Sequence, residues 1–538
     1  MKDNSIPLLS SRSVEDLIKD IECLTQEIQE LYTQDDIPFT IGWSGGKDST
    51  AVLQLVWNAI SKLPVEKRLK NIYVITNDTL VENPIVSSWV KRSLERMVIA
   101  AKEQNMPIET HLTHPTPQES FWSCLIGKGY PAPRRRFRWC TERLKINPTD
   151  SFIRQVIREN GEVILVLGTR KAESTSRAKN MEKHRAWRVR DRINTNPNRP
   201  NSLIYLPIED WRTDEVWLYL MQWENPWGND NKDLFSMYRG ATADNECPLV
   251  IDTSTPSCGD SRFGCWVCTM VSQDKSMEAM IQNDEEKEWM QPLLDIRNEL
   301  DIENDRDKRD FRRIWGNVHL FERNVDGEIS VEPVPGPYTK YWREHWLRRV
   351  LEAQTQVRKT APPEMRDITL ITTEELSEIR RIWLEEKHEF EDSLPRIYQE
   401  VTGEPFKDPR PGADATTLGA EEWNILAEVC EDDAMHLELM AKLLDTERQY
   451  HAKNRRVGIY EDLERCFDTS SRSREQAIQN AHHQYDIKQA IENGDIAKVK
   501  ETLKKLNADP QSEDKPTTVP PAQQLSWASL KFAKPSDT

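Results

Sequence analysis

The sequence predicts an α/β fold: a parallel sheet with helices on both faces, followed by a cysteine-bearing loop region and a mostly helical C-terminal region. Two features predict it. Between residues 38 and 167 short apolar β-type runs alternate with helical segments, and strands separated by crossover helices pair in parallel. From about residue 276 the composition becomes charged, and apolar residues recur at helical spacing.

The elements follow in order. Residues 12–33 carry Leu17, Ile21, Leu24, Ile28 and Leu31 on one helical face, an amphipathic helix within an N-terminal unit of 1–37. From Pro38 the pattern changes. A β-type run at 39–43 meets Ser44-Gly45-Gly46 and then a helix at 49–60, and a strand at 71–76 ends in Asn77-Asp78. A helix near 86–104, a strand near 107–112, a basic helical segment and a strand at 163–167 complete the alternation within a unit of 38–225. The stretch 226–275 is loop-rich and holds the clustered cysteines. A charged helical extension (276–360) leads to a helical region (361–508), with helices expected at 338–357, 373–400, 419–452 and 474–506. The tail at 509–538, rich in Pro, Ser, Thr and Gln, is expected to be disordered.

Bulk properties narrow the function. At 538 residues the chain has room for more than one domain. Its formal net charge of -17 repels a polyanion unless positive charge is gathered locally or brought by a partner. Unaided tight DNA binding is therefore not the first expectation. Positive charge does gather, in Arg134, Arg135, Arg136, Arg138, Arg143 and Lys145 and in a second run from Arg170 to Arg192. Phe137, Trp139 and Trp187 lie among these charges, as a groove for nucleic-acid backbone and splayed bases requires. The alternatives are a patch that binds only ATP, or arginines paired with acidic helices. With neither a secretory apolar segment nor a run of about 18 apolar residues, a cytoplasmic protein without membrane contact is expected.

A strand that runs into Ser44-Gly45-Gly46-Lys47-Asp48-Ser49 and then a helix surrounds an anion with backbone N–H groups at the positive end of the helix dipole. The segment reads as a nucleotide phosphate site rather than a plain Gly-rich turn. It is not a Walker A loop, which needs four residues between Gly and Gly-Lys and a Ser or Thr after the lysine.

Nine cysteines in a reducing compartment are expected as thiols or metal ligands. Cys23, Cys124, Cys430 and Cys466 stand alone in helical segments and read as ordinary thiols. Cys258, Cys265 and Cys268 lie within eleven residues, and the final C-x-x-C can place two thiolates on one metal centre. A fourth ligand would come from Cys140 or Cys247. Thiolates suit zinc and iron–sulfur centres alike, so ligand type alone does not choose.

The loop resembles the PP-loop, SGGxDS, of the ATP pyrophosphatase superfamily, with its adenine nucleotide alpha hydrolase-like sheet. Further segments resemble the phosphoadenylyl-sulfate reductase branch: Asn77-Asp78-Thr79, the run from Arg138 to Lys145 around Cys140, Gly168-Thr169-Arg170-Lys171-Ala172-Glu173-Ser174, and Leu206 to Trp217. An intact phosphate loop and the lack of a C-terminal Glu-Cys-Gly-Leu-His segment favour an ATP-using thiolation enzyme over a reductase. The run Ser257 to Thr269 and Gly336-Pro337-Tyr338, followed by a helix with Arg343, Arg348 and Arg349, make the chain similar to the DndC family of bacterial DNA phosphorothioation systems over about residues 15–360.

That resemblance implies ATP, Mg²⁺ and a 4Fe-4S cluster as cofactors, and cleavage of ATP between the α and β phosphates. Ser44, Gly45, Gly46 and Ser49 would hold pyrophosphate, Lys47 would neutralise charge, and Asp48 would position Mg²⁺ or the loop. Asp78 would contact adenosine and Arg170 the substrate phosphate or sulfate. Cys140, Cys258, Cys265 and Cys268 would hold the cluster, Cys140 being preferred because the resemblance sets its segment beside the nucleotide. The implied partners are the other phosphorothioation subunits, a cysteine desulfurase as sulfur donor, and DNA. A tRNA thiolase, a phosphoadenylyl-sulfate reductase and a non-catalytic zinc scaffold that switches on nucleotide are the other readings.

Overall fold

The computed structural model describes residues 12–507 apart from 136, 174–177, 180, 183–187, 191, 197–198, 242–262, 315, 326–327, 413–417, 432, 452, 454 and 471. Cys247, Cys258, Trp187 and the tail at 509–538 lie outside the described residues.

The main sheet has seven strands: β1 (Phe39–Gly42), β2 (Ile72–Asn77), β3 (Ile108–Thr113), β4 (Val163–Val166), β5 (Arg188–Arg190), β6 (Ile193–Thr195) and β7 (Ser202–Tyr205). Their order is β3-β2-β1-β4-β7-β6-β5. The pairings β3-β2, β2-β1, β1-β4 and β4-β7 are parallel; β7-β6 and β6-β5 are antiparallel. Val163, Ile164, Leu165 and Val166 are all buried, the continuous apolar run of a strand covered on both faces. The expected α/β class is thus observed. The three strands β5 to β7 were not expected from the sequence.

Helix α1 (Val14–Gln34) starts at Ser13, whose side chain accepts from the Asp16 N–H at 3.1 Å. Its predicted stripe, Leu17, Ile21, Leu24, Ile28 and Leu31, is buried against α2 (Lys47–Ser61). Helix α2 is buried nearly all round because it lies between α1, the sheet and α5 (Thr213–Gln222). Around them stand α3 (Pro84–Glu103), α4 (Asn147–Asn160) and α6 (Asn231–Gly240).

A second apolar core joins Trp122, Leu125 and Ile126 to Trp266, Leu293, Trp346, Leu347, Ile379, Trp383 and Leu394. Buried indole N–H groups find partners across it: Trp122 donates to the Leu370 carbonyl at 2.7 Å and Trp383 to the Ile126 carbonyl at 3.1 Å. The Gly336-Pro337-Tyr338 run is a strap in this assembly. The Tyr338 N–H donates to Gly129 O and the Gly336 N–H to Asp310 O, both at 2.6 Å.

This core extends past residue 360. Leu370, Leu376, Ile379, Trp383, Leu394 and Ile397 are buried in it, each contributing about 1.5–3 kcal/mol by burial. Truncation after residue 360 is expected to give a chain that aggregates or loses cooperative thermal unfolding. Truncation after 411 keeps Asp408, which accepts from Ser377 at 2.5 Å and Arg380 at 3.1 Å, and is expected to preserve the transition. Size exclusion and thermal unfolding would separate the two.

Several long helices of the C-terminal region are broken where one helix each was expected. The 373–400 segment is Thr373–Arg381, a π-helical turn Ile382–Glu386, and Ser393–Thr402, entered through Asp392 at φ 52°. The 419–452 segment divides into Ala420–Val429 and Ala434–His451 at Glu431, φ 47°, and the 474–506 segment into Arg474–Glu492 and Ile496–Asn507 at Gly494, φ 73°. The extension at 276–360 is also not wholly helical. It holds an antiparallel hairpin, β8 (Leu320–Val325) with β9 (Glu328–Pro333).

Candidate nucleotide and thiol site

Strands β1 and β4 are neighbours, yet β1 is followed through α2 by β2 on one side while β4 is followed in the sheet by β7 on the other. The crevice beyond the C-terminal ends at such a switch point is where open α/β sheets bind ligands. The chain leaves β1 there as Trp43-Ser44-Gly45-Gly46, and α2 begins at Lys47.

The glycines are required by the geometry. Gly45 has φ +75°, and a Cβ on it would lie 2.6 Å from Val90 Cγ2. From the end of β4, Gly168 comes so close that a Cβ would stand 2.9 Å from the Asp48 carbonyl carbon and oxygen. The Ser44 N–H donates to Ser49 Oγ at 3.2 Å, and the Ser49 hydroxyl donates to Gly46 O at 3.1 Å. The Trp89 indole N–H holds the loop from outside, donating to Gly45 O at 3.2 Å.

Three charged side chains are linked at the loop. Lys47 Nζ stands 3.2 Å from Asp48 Oδ2, and Arg170 Nε donates to Asp48 Oδ1 at 2.7 Å. Arg170 is 1% exposed and also donates to Trp211 O at 3.1 Å and Thr213 Oγ1 at 3.5 Å. The resemblance assigns Arg170 to substrate phosphate or sulfate; it lines the cleft beside the phosphate loop, and its guanidinium donates to three acceptors, Asp48 among them.

Tyr238 of α6 carries no local sequence signal, yet it packs under the loop. The Lys47 N–H donates to its hydroxyl at 3.4 Å, and the Lys47 ammonium lies 5.2 Å from its ring centroid. Burial, reinforced by Asp48, pushes the Tyr238 phenol well up, so it stays protonated. Phe263, from the thiol loop, meets this ring edge-on at 4.8 Å.

Asp78 closes the far side. Its N–H donates to Thr113 O at 2.8 Å and its carboxylate accepts from the Leu80 N–H at 2.8 Å. Beside it, Cys265 stands in an isolated antiparallel bridge with Glu82, and the Trp266 N–H donates to Val81 O at 2.9 Å. Cys265 Sγ is 3.3 Å from Thr79 Oγ1. The Cys268 carbonyl accepts from Arg297 Nε at 3.1 Å, and the Thr269 hydroxyl donates to Pro133 O at 2.6 Å. The thiol loop is thereby stitched to the strand-end segment 79–82 and to the 133–140 segment. Thr79 belongs to the Asn77-Asp78-Thr79 run singled out above; Glu82 had not been singled out.

Lys145, in a π-helical turn Thr141–Ile146 that follows Cys140, interacts electrostatically with Cys265, Cys268 and Cys140 and with Glu82, which raises its pKa. Burial and then Glu82 push the Cys265 thiol up to about 12. Burial and then Cys268 raise that of Cys140. Without a metal, Cys265 is a neutral thiol at neutral pH beside a lysine cation. Three thiols around one cation suit a thiolate-bound metal centre in donor chemistry. Among the described residues, however, no group of three or more Cys, His, Asp or Glu side chains stands ready to hold a metal ion.

The phosphate loop, Asp78, Glu82, Lys145 and Phe263 line one cleft of about 1870 Å³, with Arg154 and Arg158 of α4 along another wall. Much of the remaining positive charge is neutralised at home. Arg190 and Arg192 pair with Glu30, Glu27 and Asp20 of α1, and Arg143 pairs with Glu119. The helix after Tyr338 pairs Arg343, Arg348 and Arg349 with Glu389, Glu400 and Glu299. Trp139 is buried and stacked on Phe121 at 5.5 Å, so it is not the stacking platform expected of it.

Residues 38–228 match the phosphoadenosine phosphosulfate reductase domain family. This segment is a PP-loop domain. An uncharacterized protein of Methanocaldococcus jannaschii is 28% identical over 200 residues, 37% of this chain. The alignment covers 35% of that relative, so the chain spans about a third of its length. Among solved structures, the U34-tRNA thiolase of Methanococcus maripaludis with its 4Fe-4S cluster matches at 16% identity and a TM-score of 0.24, over 41% of this chain and 72% of that one. The FMN adenylyltransferase of Candida glabrata, in complex with FAD and inorganic pyrophosphate, matches at 11% identity and a TM-score of 0.25, over 45% and 67%. No helix among the described residues is long and apolar enough to cross a membrane.

Proposed function

We propose that the chain is the ATP-dependent sulfurtransferase component of a DNA phosphorothioation system. One observation carries this: the loop suited to cradle pyrophosphate and Glu82, the bridge partner of Cys265, border a single cleft. Activation and sulfur delivery then share one space.

The DNA non-bridging phosphate oxygen attacks the α-phosphorus of ATP, forming one P–O bond as the bond to pyrophosphate breaks. The backbone N–H groups at the start of α2, with Ser44 and Ser49, receive the departing phosphates. Lys47 neutralises their developing charge, held by Asp48, which Arg170 fixes in turn. Asp48 would also offer a carboxylate to a Mg²⁺ arriving with ATP, and Asp78, which lines the same cleft, would contact adenosine. Sulfur at the oxidation level of sulfide then attacks the DNA phosphorus, and AMP leaves with the activated oxygen. Cys140, Cys265 and Cys268, with Cys258 or Cys247 as a further donor, would hold a 4Fe-4S cluster, whose chemistry when bound is to present sulfur for transfer. Thr79 and Glu82 orient Cys265 in that role.

A cysteine desulfurase supplies the sulfur in this reading as a persulfide, and an external thiol reductant, itself oxidised to a disulfide, brings the outer sulfur to the sulfide level. The C-terminal helices, which expose Ile425, Val429, Tyr460 and Phe467, dock the subunits that bring DNA. The test is mass spectrometry of nucleotides from cells that express the wild-type protein or Cys265→Ser with the remaining system. Phosphorothioate linkages in DNA with the wild type and none with the variant are expected. Sulfur found in tRNA bases instead would overturn the DNA assignment in favour of a tRNA thiolase.

A further inference from the structure

We infer that the segment around Phe137 is a docking finger for single-stranded or locally unstacked DNA, with Phe137 stacking on a base and Arg135 and Arg138 flanking the backbone. The inference rests on the function proposed above, because it concerns how that acceptor is presented.

Four cations stand in five residues here, Arg134, Arg135, Arg136 and Arg138, in a chain of formal net charge -17. Asp305 offsets Arg134, and a further anion would relieve the repulsion among the others. The turn is closed on itself: the Arg134 N–H donates to Phe137 O at 3.1 Å and the Phe137 N–H to Arg134 O at 2.8 Å. Arg138 Nε donates to Arg135 O at 3.1 Å. Phe137, which pairs with Arg134 where the turn closes, is 46% exposed, and Arg135 and Arg138 are exposed as well.

An exposed aromatic alone needs no explanation. This one is held rigidly from several sides. Arg134 is anchored to buried Asp305 at 3.2 Å and to Ile302 O at 2.9 Å. Pro133 O accepts from Thr269 of the thiol loop, and the Trp139 indole donates to Pro131 O at 2.9 Å while its ring stacks on Phe121. Trp139 is thus buried behind the turn while Phe137 stays exposed. A braced aromatic flanked by arginines is the platform on which nucleic-acid bases stack, in a manner tolerant of sequence. Cys140 follows two residues after Arg138, so a strand held on the finger lies next to the segment that carries the thiols.

The test uses the full chain with fluorescent oligonucleotides, single-stranded DNA and RNA of the same sequence, read by anisotropy across a salt series. A DNA carrying 2-aminopurine reports stacking. Phe137→Ala is expected to weaken DNA binding about 5- to 150-fold, the range for removing one aromatic–base stack, and to abolish quenching of 2-aminopurine. Arg135→Ala is expected to lower the slope of log affinity against log salt by about 0.7. Unchanged affinity and slope in both variants, or binding of the RNA but not the DNA, would overturn the inference. Sulfur incorporation measured in parallel separates the two claims. If it persists while Phe137→Ala binds like wild type, the finger is wrong and the function stands. If finger-dependent DNA binding occurs without sulfur incorporation or ATP consumption, the finger stands and the function fails.

Discussion

Replacing Lys47 with alanine is expected to lower the rate of pyrophosphate release by about 10²–10³-fold, the usual loss when one preorganised group facing transition-state charge is removed. The lysine sits on the first turn of α2, paired with Asp48 and over the Tyr238 ring, so its ammonium is fixed before any nucleotide arrives. Its aliphatic stem contributes little to the core, and the variant should unfold at nearly the wild-type temperature. The loss should therefore appear in turnover rather than in the amount of folded protein. Steady-state pyrophosphate release together with thermal unfolding checks both halves of this expectation. Wild-type turnover in a folded Lys47→Ala protein would remove Lys47 from the chemistry.

A second large effect is expected at a residue that touches no substrate. In Gly168→Val the new Cβ would stand 2.9 Å from the Asp48 carbonyl group and 3.0 Å from the Ser49 nitrogen. These are backbone atoms of the first turn of α2, which cannot swing aside as a side-chain tip would. Either the end of β4 or the phosphate loop has to move, at a cost of about 1–3 kcal/mol for overpacking. A displacement of about 1 Å at a reacting centre costs on the order of 10²-fold in rate. Nucleotide affinity and pyrophosphate release should both collapse, with a measurable fall in unfolding temperature. Gly240→Ala is the control: a Cβ there meets only the tip of Lys287 at 3.9 Å and should leave affinity, rate and stability as they were.

The parts of the site that could be read from the sequence are those in which backbone conformation dictates residue type. A loop that turns with φ +75° between a strand and a helix demands glycine, and this demand is written as Gly45-Gly46 between two periodic segments. The stripe of α1 was legible for a similar reason, since one buried face of a long helix fixes its spacing. What escaped depends on tertiary contact. Tyr238 reaches the loop from 191 residues away, and nothing around it announces that. Arg170 stands in a recognisable turn, but a sequence motif does not show that its guanidinium is held by Asp48, the Trp211 carbonyl and Thr213.

Strands β5 and β6 are three residues each and β7 four, too short for an alternating pattern to emerge. The broken C-terminal helices show the opposite problem. Helical periodicity continues through these places, while left-handed residues turn the chain: His388 and Asp392 at the first, Glu431 at the second and Gly494 at the third. Pairing of Arg190 and Arg192 with α1 likewise could not be read from clustered charge, because it depends on α1 lying beside β5 and β6.

The account turns on where ATP is cut. The most direct measurement incubates the full chain with ATP, Mg²⁺ and DNA under anaerobic conditions and resolves the nucleotide products by anion-exchange chromatography. Equal amounts of AMP and pyrophosphate, dependent on Lys47, are predicted. ADP and orthophosphate as the products would contradict it.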